Sequence, residues 1–345
     1  MKKAIKITIL IAVGLVVLGL GMVFVSVAAG GFDIRNVAQT RTYKENTYQI
    51  TEDFENLDLD ILSNNLQILP SEDGTTKFVC YEADDVKFVV KVENRTLMIE
   101  EEVEKDFSSI FNFEFNFEEQ TNKLYLPKEQ YANFDLKLFS GDFSSNESFT
   151  FKDVNLDVSS GDMFLSGITA RNLSVDVSSG DAGLSGINTE NLTVDVSSGR
   201  IDIENTKVAE VLKMKGSSGS ASLTKVECME ADVKIGSGSI VITDFKSATG
   251  LDIHVSSGSA NMNNVVSDGY FRVKTGSGSI EMESCDGKEM NLETSSGSIE
   301  GTLKTGKVFT TKVSAGDIAV PDDDPNGGTC YARTGAGDIE ITVEK

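Results

Sequence analysis

The chain has 345 residues, a formal net charge of −23 and a hydrophobic content of 39%. The first 32 residues carry three lysines and no acidic residue, so the remainder carries a formal charge of −26. This acidic balance repels phosphate backbones and disfavours nucleic acid as a partner. The hydrophobic content and the recurrent aliphatic residues argue against a disordered chain.

Residues 1–32 predict a membrane anchor. Three lysines precede an apolar run over residues 7–29, which is long enough to cross a bilayer as a transmembrane helix. A cleaved signal peptide is the alternative, because Ser26-Val27-Ala28 suits a signal peptidase, although the apolar region of a signal peptide is usually about 7–15 residues. The lysines predict a cytoplasmic N-terminus and an extracytoplasmic remainder, in a single-pass protein of the cell membrane.

Residues 33–135 predict an N-terminal β region. Residues 57–69 have the pattern of an early repeat unit, with Asn64 at the place of a glycine, since asparagine tolerates left-handed backbone geometry. Residues 78–81, 86–92 and 96–99 predict strands. Phenylalanines then alternate with polar residues at Phe111, Phe113, Phe115 and Phe117. We interpret this region as a hairpin-like cap on the end of the repeats, and a ligand platform is the alternative.

Residues 136–345 contain a serine–glycine pair that recurs every 19–21 residues. Its glycines are Gly141, Gly161, Gly180, Gly199, Gly219, Gly238, Gly258, Gly278, Gly297, Gly316 and Gly337. A unit of this length is too short to bury a core alone, so neighbouring units must stack and share one.

Apolar residues recur at fixed distances from these glycines: five and seven positions before, and two and four positions after. Leu173, Leu192 and Leu212, for example, each lie seven positions before a glycine. This alternation is typical of strands with one buried face. Two such strands, a bend whose glycine has positive φ, and a looser return segment predict one coil of an all-β, parallel β-helix (β-solenoid).

The opening residues Leu57-Asp58-Leu59-Asp60-Ile61-Leu62-Ser63-Asn64, the stretch Leu126-Pro127-Lys128 and the many Ser-Gly-Asp coils resemble the bacterial DUF4097 family of adhesin-like β-solenoid proteins. The resemblance covers about residues 50–343. It implies an extracytoplasmic parallel β-helix, often beside a membrane anchor or in cell-envelope stress operons. It supplies no active-site residues, so it informs the fold more than the function.

One outward column, four positions before each glycine, changes from acidic to mainly basic along the chain. It contains Lys137, Asp157, Asp176, Asp195, Lys215, Lys234, His254, Lys274, Glu293, Lys312 and Arg333. Asp157, Asp176 and Asp195, with Asp162 and Asp181 just past the bend, form a candidate Ca²⁺ site, because hard cations prefer several carboxylate oxygens. The alternative is a solvated acidic face, and the nonapeptide of calcium β-rolls is absent.

The remaining reactive residues predict no catalytic centre. Repeat steps separate Cys228, Cys285 and Cys330 beyond the ~7 Å reach of a disulfide, so we expect all four cysteines to be free, with Cys285 and Cys330 in the core. His254 is the only histidine and lies among lysines, which disfavours a nucleophilic triad or a zinc site. Apart from Ca²⁺, no cofactor is predicted.

The sequence therefore predicts a non-catalytic, membrane-anchored β-solenoid with a structural, adhesion or envelope-recognition role. The expected partners are the membrane through residues 7–29, and cell-wall polymer or another envelope protein. One alternative is a polysaccharide-active β-helix enzyme with a carboxylate site, although the chain lacks Trp as a sugar platform. A second alternative is a cell-envelope stress component that acts through a membrane partner.

Overall fold

The computed structural model describes residues 42–103 and 120–344. The predicted anchor and the predicted phenylalanine strand lie outside these residues. Within them every regular element is a strand, and no helix is present that is long and apolar enough to span a membrane. The first nine strands are β1 (Lys44–Ile50), β2 (Asn56–Ile61), β3 (Asn65–Pro70), β4 (Thr76–Glu82), β5 (Val86–Glu93), β6 (Thr96–Val103), β7 (Thr121–Leu126), β8 (Gln130–Leu138) and β9 (Phe143–Ser145).

Fifteen further strands follow, and several of them run continuously around three sides of a coil. They are β10 (Thr150–Ser160), β11 (Met163–Ser166), β12 (Thr169–Ser179), β13 (Ala182–Ser185), β14 (Asn188–Ser198), β15 (Ile201–Ser218), β16 (Ala221–Ser237), β17 (Ile240–Ser257), β18 (Ala260–Ser277), β19 (Ile280–Ser296), β20 (Ile299–Leu303), β21 (Lys307–Ala315), β22 (Ile318–Ala319), β23 (Gly328–Ala336) and β24 (Ile339–Val343). The predicted division between residues 135 and 136 falls inside β8.

Successive coils pair in parallel, as the repeat predicts. Leu173 pairs with Leu192 and Leu192 with Leu212, and all three side chains are buried. Identical positions therefore stack in columns, and their aliphatic side chains fill one continuous interior. The prediction of a parallel β-solenoid is confirmed for the described residues. We call the strands that precede the serine–glycine bend the first face, and those that follow it the second face.

The serine–glycine bend, which is alanine–glycine at Gly316 and Gly337, is the first corner of the repeated coils. Its glycine has positive φ, for example +138° at Gly180, as predicted. Close stacking adds a second requirement, because a Cβ on Gly180 would lie 2.0 Å from the carbonyl oxygen of Gly161. Asn64 occupies the equivalent corner with φ of +75°, which confirms its predicted substitution for glycine.

A second corner lies six positions after the glycine, and the sequence did not predict it. Gly167 and Gly186 occupy it in two coils, and non-glycine residues with φ between +48° and +54° occupy it in the next five: Asn205, Lys225, Asp244, Asn264 and Ser284. The chain then forms a third side, where Thr206, Val226 and Phe245 stack in register and are buried. The predicted loose return is therefore a paired strand.

The alternation between 19 and 20 residues per coil has a local cause. The register shifts at bulges between the third side and the first face, for example between Val208 and Val211, where the next coil has one residue fewer. The extra residue is accommodated outside the core columns. The core therefore stays in register although the repeat length varies.

Spatial order departs from chain order at both ends of the stack. Near the first strands, β2 lies between β6 and β8, and β3 lies between β7 and β9. Antiparallel strands extend this end, because β5 pairs with β6, β4 with β7 and β1 with β4. At the other end, β23 lies between β19 and β21, and β24 lies between β20 and β22. The coil of Gly337 thus precedes the coil of Gly316 in space.

Candidate functional site

The first face carries one row of outward side chains that are all in register. In spatial order the row is Glu100, Asp60, Lys137, Asp157, Asp176, Asp195, Lys215, Lys234, His254, Lys274, Glu293, Arg333 and Lys312. The thirteen positions are separated by twelve strand spacings of about 4.8 Å each, so the row is about 58 Å long. The predicted column exists, with Arg333 and Lys312 exchanged by the order of the coils.

The acidic strip of this row consists of Asp157, Asp176 and Asp195. Strand pairing places Asp157 beside Asp176 and Asp176 beside Asp195. Partial burial and then the neighbouring carboxylates Asp195 and Asp157 raise the pKa of Asp176 above its usual value. Since Asp195 also forms an ion pair of 2.7 Å with Lys215, the free negative charge concentrates on Asp157 and Asp176.

The parallel row beside the acidic strip contains no charged residue at these three coils. Its residues are Asn155, Ser174 and Thr193, which pair in register. In the basic part of the first face, the basic block of Lys215, Lys234, His254 and Lys274, the corresponding positions carry both signs: Lys213, Asp232, Asp252 and Arg272. Lys234 contacts Asp232 at 2.6 Å across the two rows, whereas Arg272 contacts Asp252 at 3.9 Å within the second row. Asp232 therefore compensates one lysine of the block, whereas the row beside Asp157 and Asp176 offers them no cation.

Asp162 and Asp181 belong to a different arrangement at the first corner. The Asp181 backbone N–H donates to Asp162 Oδ1 at 2.8 Å, and the Arg200 backbone N–H donates to Asp181 Oδ1 at 2.7 Å. Asp142 accepts from the N–H of Asp162 in the same way. Each carboxylate thus satisfies a backbone donor of the next coil, which is a stabilising role.

Serines continue this ladder where the aspartates end. The Ser259 N–H donates to Ser239 Oγ at 3.3 Å, and the Ser279 N–H donates to Ser259 Oγ at 3.2 Å. The sequence held the signal for this role, because the position after each glycine is nearly always Asp or Ser. Sequence reasoning counted only the charge and missed the hydrogen-bond acceptor that both residues share.

The five predicted calcium ligands therefore separate into the acidic strip and the corner carboxylates. Among residues 42–103 and 120–344, no three or more His, Cys, Asp or Glu side chains form a group that could hold a metal ion. The aspartates of the strip lie in one line along the coils rather than around a common point. Calcium binding stays a prediction.

The four cysteines are free, as predicted, and Cys285 and Cys330 are buried in the core. Burial raises the pKa of Cys330 to about 12 and that of Cys285 to about 11. At neutral pH these thiols stay protonated and are poor nucleophiles. His254 lies in register between Lys234 and Lys274, at the predicted place.

A groove on the second face was not predicted. It has a volume of about 550 Å³. Glu281 pairs in register with Glu300, and Glu300 with Glu340, so three exposed carboxylates follow one another along its wall. Glu283 also lines it, and Gly301 leaves its floor without a side chain. The glutamates recur three positions after Gly278, Gly297 and Gly337, but only the strand pairing shows that they line a concave surface.

The fold and the outward rows define a parallel β-solenoid with long ordered faces. The family model described as Toastrack DUF4097 matches residues 54–211. The resemblance to the DUF4097 family that the sequence predicted is thereby confirmed over this segment. No curated protein matches the chain.

Several solved structures are similar at low identity. A protein described as a putative adhesin from Bacteroides fragilis is 15% identical, with 88% of this chain and 98% of that chain covered and a TM-score of 0.32. One with the same description from Parabacteroides distasonis is 14% identical, with coverages of 74% and 97% and a TM-score of 0.38. A protein from the same organism described as a putative lipid binding protein is 13% identical, with coverages of 89% and 99% and a TM-score of 0.30.

Proposed function

We propose that this protein is a non-catalytic recognition protein whose acidic strip on the first face binds an extended partner that carries cationic groups. Cell-wall polymer or another envelope protein is the expected partner class. Residues 7–29 would anchor the chain in the cell membrane and leave the solenoid outside the cytoplasm. The adhesin-like character of the DUF4097 family is in line with this role.

The separation of charges along the first face is the observation that carries the proposal. Stacking Asp157, Asp176 and Asp195 about 4.8 Å apart costs a few tenths of a kcal/mol for each like-charged neighbour when the groups are exposed. Alternating signs would remove this cost, as the contact of Lys234 with Asp232 does in the basic block. Folding gives no reason to stack Asp157 and Asp176 without a cation beside them in the neighbouring row, whereas a cationic partner does.

The regular spacing supports a partner that is itself extended. Each coil presents the same backbone and the same side-chain position at a constant rise, so contacts repeat along one direction. A polymer or a row of basic side chains gains from several weak contacts in sequence. A small ligand would use only one coil.

A polysaccharide-active enzyme is the second candidate, and the groove on the second face favours it. Glycoside hydrolases need two carboxyl groups across a bound sugar. Glu281, Glu300 and Glu340 supply carboxylates, but they stand in one row on the same wall. None of the residues that line the groove is aromatic, so it lacks a stacking platform for a sugar ring.

Co-sedimentation with purified cell wall, followed by analysis of the supernatant, distinguishes the two candidates. The proposal predicts that the full chain pellets with the wall, that salt weakens the binding, and that no sugar is released. Release of reducing sugar that Glu300→Gln abolishes would favour the enzyme. Absence of binding at low salt would contradict the recognition role on cell wall and leave a membrane-protein crosslink screen to test an envelope protein as the partner.

A further inference from the structure

Residues 328–343, which comprise β23 and β24, form a coil that is inserted between two coils that precede it in the chain. We call it the inserted coil. Its neighbours are the inner coil, which is the end of β19 with β20, and the outer coil, which is β21 with β22. The glycines of the inner and outer coils, Gly297 and Gly316, are 19 residues apart, a normal spacing for coils in direct contact. The slot therefore exists only because the inserted coil occupies it.

The inserted coil fills the core with small side chains on the first face and with Ile339 and Ile341 on the second face. On the first face it buries Cys330, Ala332 and Thr334. In the inner coil, the larger Met290 is in register with Cys330, and the larger Leu292 is in register with Ala332. Since the hydrophobic stabilisation scales with the apolar area buried, this coil contributes less than its neighbour in those columns. Its strands are nevertheless paired along both edges. On the first face, backbone pairing on both edges therefore compensates for the smaller side chains.

The charges of the inserted coil also match its neighbours poorly. Arg333 is in register with Lys312 of the outer coil, and Glu340 is in register with Glu300 of the inner coil. Direct contact between the inner and outer coils would instead place Glu293 opposite Lys312. Arg333 also faces Glu293 on its other side, so the mismatch is partial. Like charges in register are unfavourable, and they weaken the hold of the slot on this coil.

A hinge of eight residues joins the outer coil to the inserted coil. Residues 320–327 contain Pro321, Pro325 and three aspartates, and none of them is buried. The hinge contacts the outer coil through a hydrogen bond of 2.8 Å from the Phe309 N–H to Asp323 Oδ1 and one of 2.9 Å from the Asp324 N–H to the Lys307 carbonyl oxygen. At its start, Val320 packs against the core. When extended, eight residues reach about 26 Å, which is enough to leave one molecule and enter another.

We propose that the inserted coil exchanges between two copies of this chain, so that each copy's residues 328–343 occupy the slot between the inner and outer coils of the other. All contacts within the slot are preserved in such a swapped dimer, and only the hinge changes conformation. The partner is a second copy because its inserted coil is the segment whose shape, register and hydrogen bonds the slot already fits. This self-association is independent of the proposed recognition role.

Two variants that each add one exposed cysteine to the four native cysteines test the exchange in the full chain. The native thiols are the same in the matched control mixture. Glu300→Cys and Glu340→Cys place thiols on exposed, in-register positions of neighbouring coils, at a strand spacing that a disulfide can bridge. The two variants, with tags of different size, are unfolded and refolded as a mixture and oxidised. Exchange predicts a covalent heterodimer on a non-reducing gel.

The matched control is the mixture of Glu281→Cys with Glu300→Cys, which lie on the same face and pair in the same way within consecutive coils. It is expected to give no heterodimer above the level of random collision. Equal heterodimer yields in both mixtures, or none in the first, would overturn the proposal. Each double variant within one chain forms its disulfide only if the coils are seated, and so confirms that the variants fold.

Lys312→Glu provides a second, independent readout. It places a carboxylate in register with Arg333, and this contact is the same in the monomer and in the swapped dimer. When the folded Glu300→Cys and Glu340→Cys variants are mixed without denaturation, Lys312→Glu should slow the appearance of the heterodimer, because the inserted coil must leave the slot before it exchanges, and the yield after refolding should not change. Lys274→Glu, in the same column but outside the slot, is the control and is expected to change neither the rate nor the yield. Equal slowing by both substitutions would contradict the role of the slot.

Discussion

Replacement of Gly180 by alanine tests whether the glycines at the first corner are required by the stacking of coils. Gly180 has φ of +138°, which is costly for any residue with a Cβ, about 1–3 kcal/mol. The added Cβ would lie 2.0 Å from the Gly161 carbonyl oxygen, and a backbone atom cannot rotate away. The neighbouring coil must therefore shift, which costs about 1–3 kcal/mol more by analogy with overpacked cores.

Gly186→Ala is the matched control, because Gly186 is also a corner glycine with positive φ. Its φ is +63°, and the nearest atom to an added Cβ is the Gly167 nitrogen at 3.7 Å. Only the left-handed conformation is then penalised, by about 1–2 kcal/mol. We expect Gly180→Ala to lower the free energy of unfolding by about 2–6 kcal/mol.

Urea denaturation of the full chain, followed by circular dichroism, measures both variants against the unmodified protein. The slope of each transition shows whether unfolding stays cooperative along the stack. If Gly180→Ala were no more destabilising than Gly186→Ala, the close approach of the corners would not be what restricts position 180 to glycine. The stacking argument would then be wrong.

Three further predictions concern individual side chains. Asp162→Ala should cost about 1 kcal/mol of unfolding free energy because the Asp181 N–H loses its acceptor, whereas Asp162→Asn should restore most of it; equal losses would exclude the capping role. Asp176→Asn should stabilise the protein at pH 7 by a few tenths of a kcal/mol for each acidic neighbour. The gain should disappear as the pH falls, because the pKa of Asp176 is raised in the folded protein and its ionised form therefore opposes folding. A gain that persists at pH 3 would refute this explanation. Cys285 and Cys330 should resist a thiol reagent at pH 8 until urea unfolds the chain, and rapid labelling of the native protein would show that the core is open there.

The sequence predicted those parts of the fold that each coil repeats. Periodic aliphatic residues located Leu173, Leu192 and Leu212 in the core, and the tolerance of asparagine for positive φ identified Asn64 as a corner. Both inferences depend on residue preferences that can be recognised within a single coil, without knowledge of its neighbours. The register between coils followed, because side chains of equal size and polarity stack best on one another.

The second corner and the order of the coils could not be predicted in the same way. Residues as different as Lys225 and Ser284 adopt positive φ at the second corner, where the paired strands on either side impose it. The position of the inserted coil is invisible in the repeat, because its apolar positions have the same spacing as those of every other coil. Long-range pairing decides both features.

Part of the candidate site was predictable and part was not. The row that contains Asp157, Asp176 and Asp195 follows directly from the distance of each residue to its glycine. The role of Asp162 and Asp181 does not, because a charge count cannot distinguish a free carboxylate from one that accepts a backbone N–H. The groove on the second face needed the spatial pairing of Glu300 with Glu340.

Binding of the full chain to purified cell wall, compared between two triple variants, tests the central claim most directly. One variant changes Asp157, Asp176 and Asp195 to Asn. The other changes Glu281, Glu283 and Glu300 to Gln, which alters the net charge by the same amount on the second face. If each lost ion pair contributes about 0.5–1 kcal/mol, the first variant should bind at least about tenfold more weakly, and the second should bind like the unmodified protein. Equal weakening of both variants would show that only total charge matters and would contradict recognition by the acidic strip.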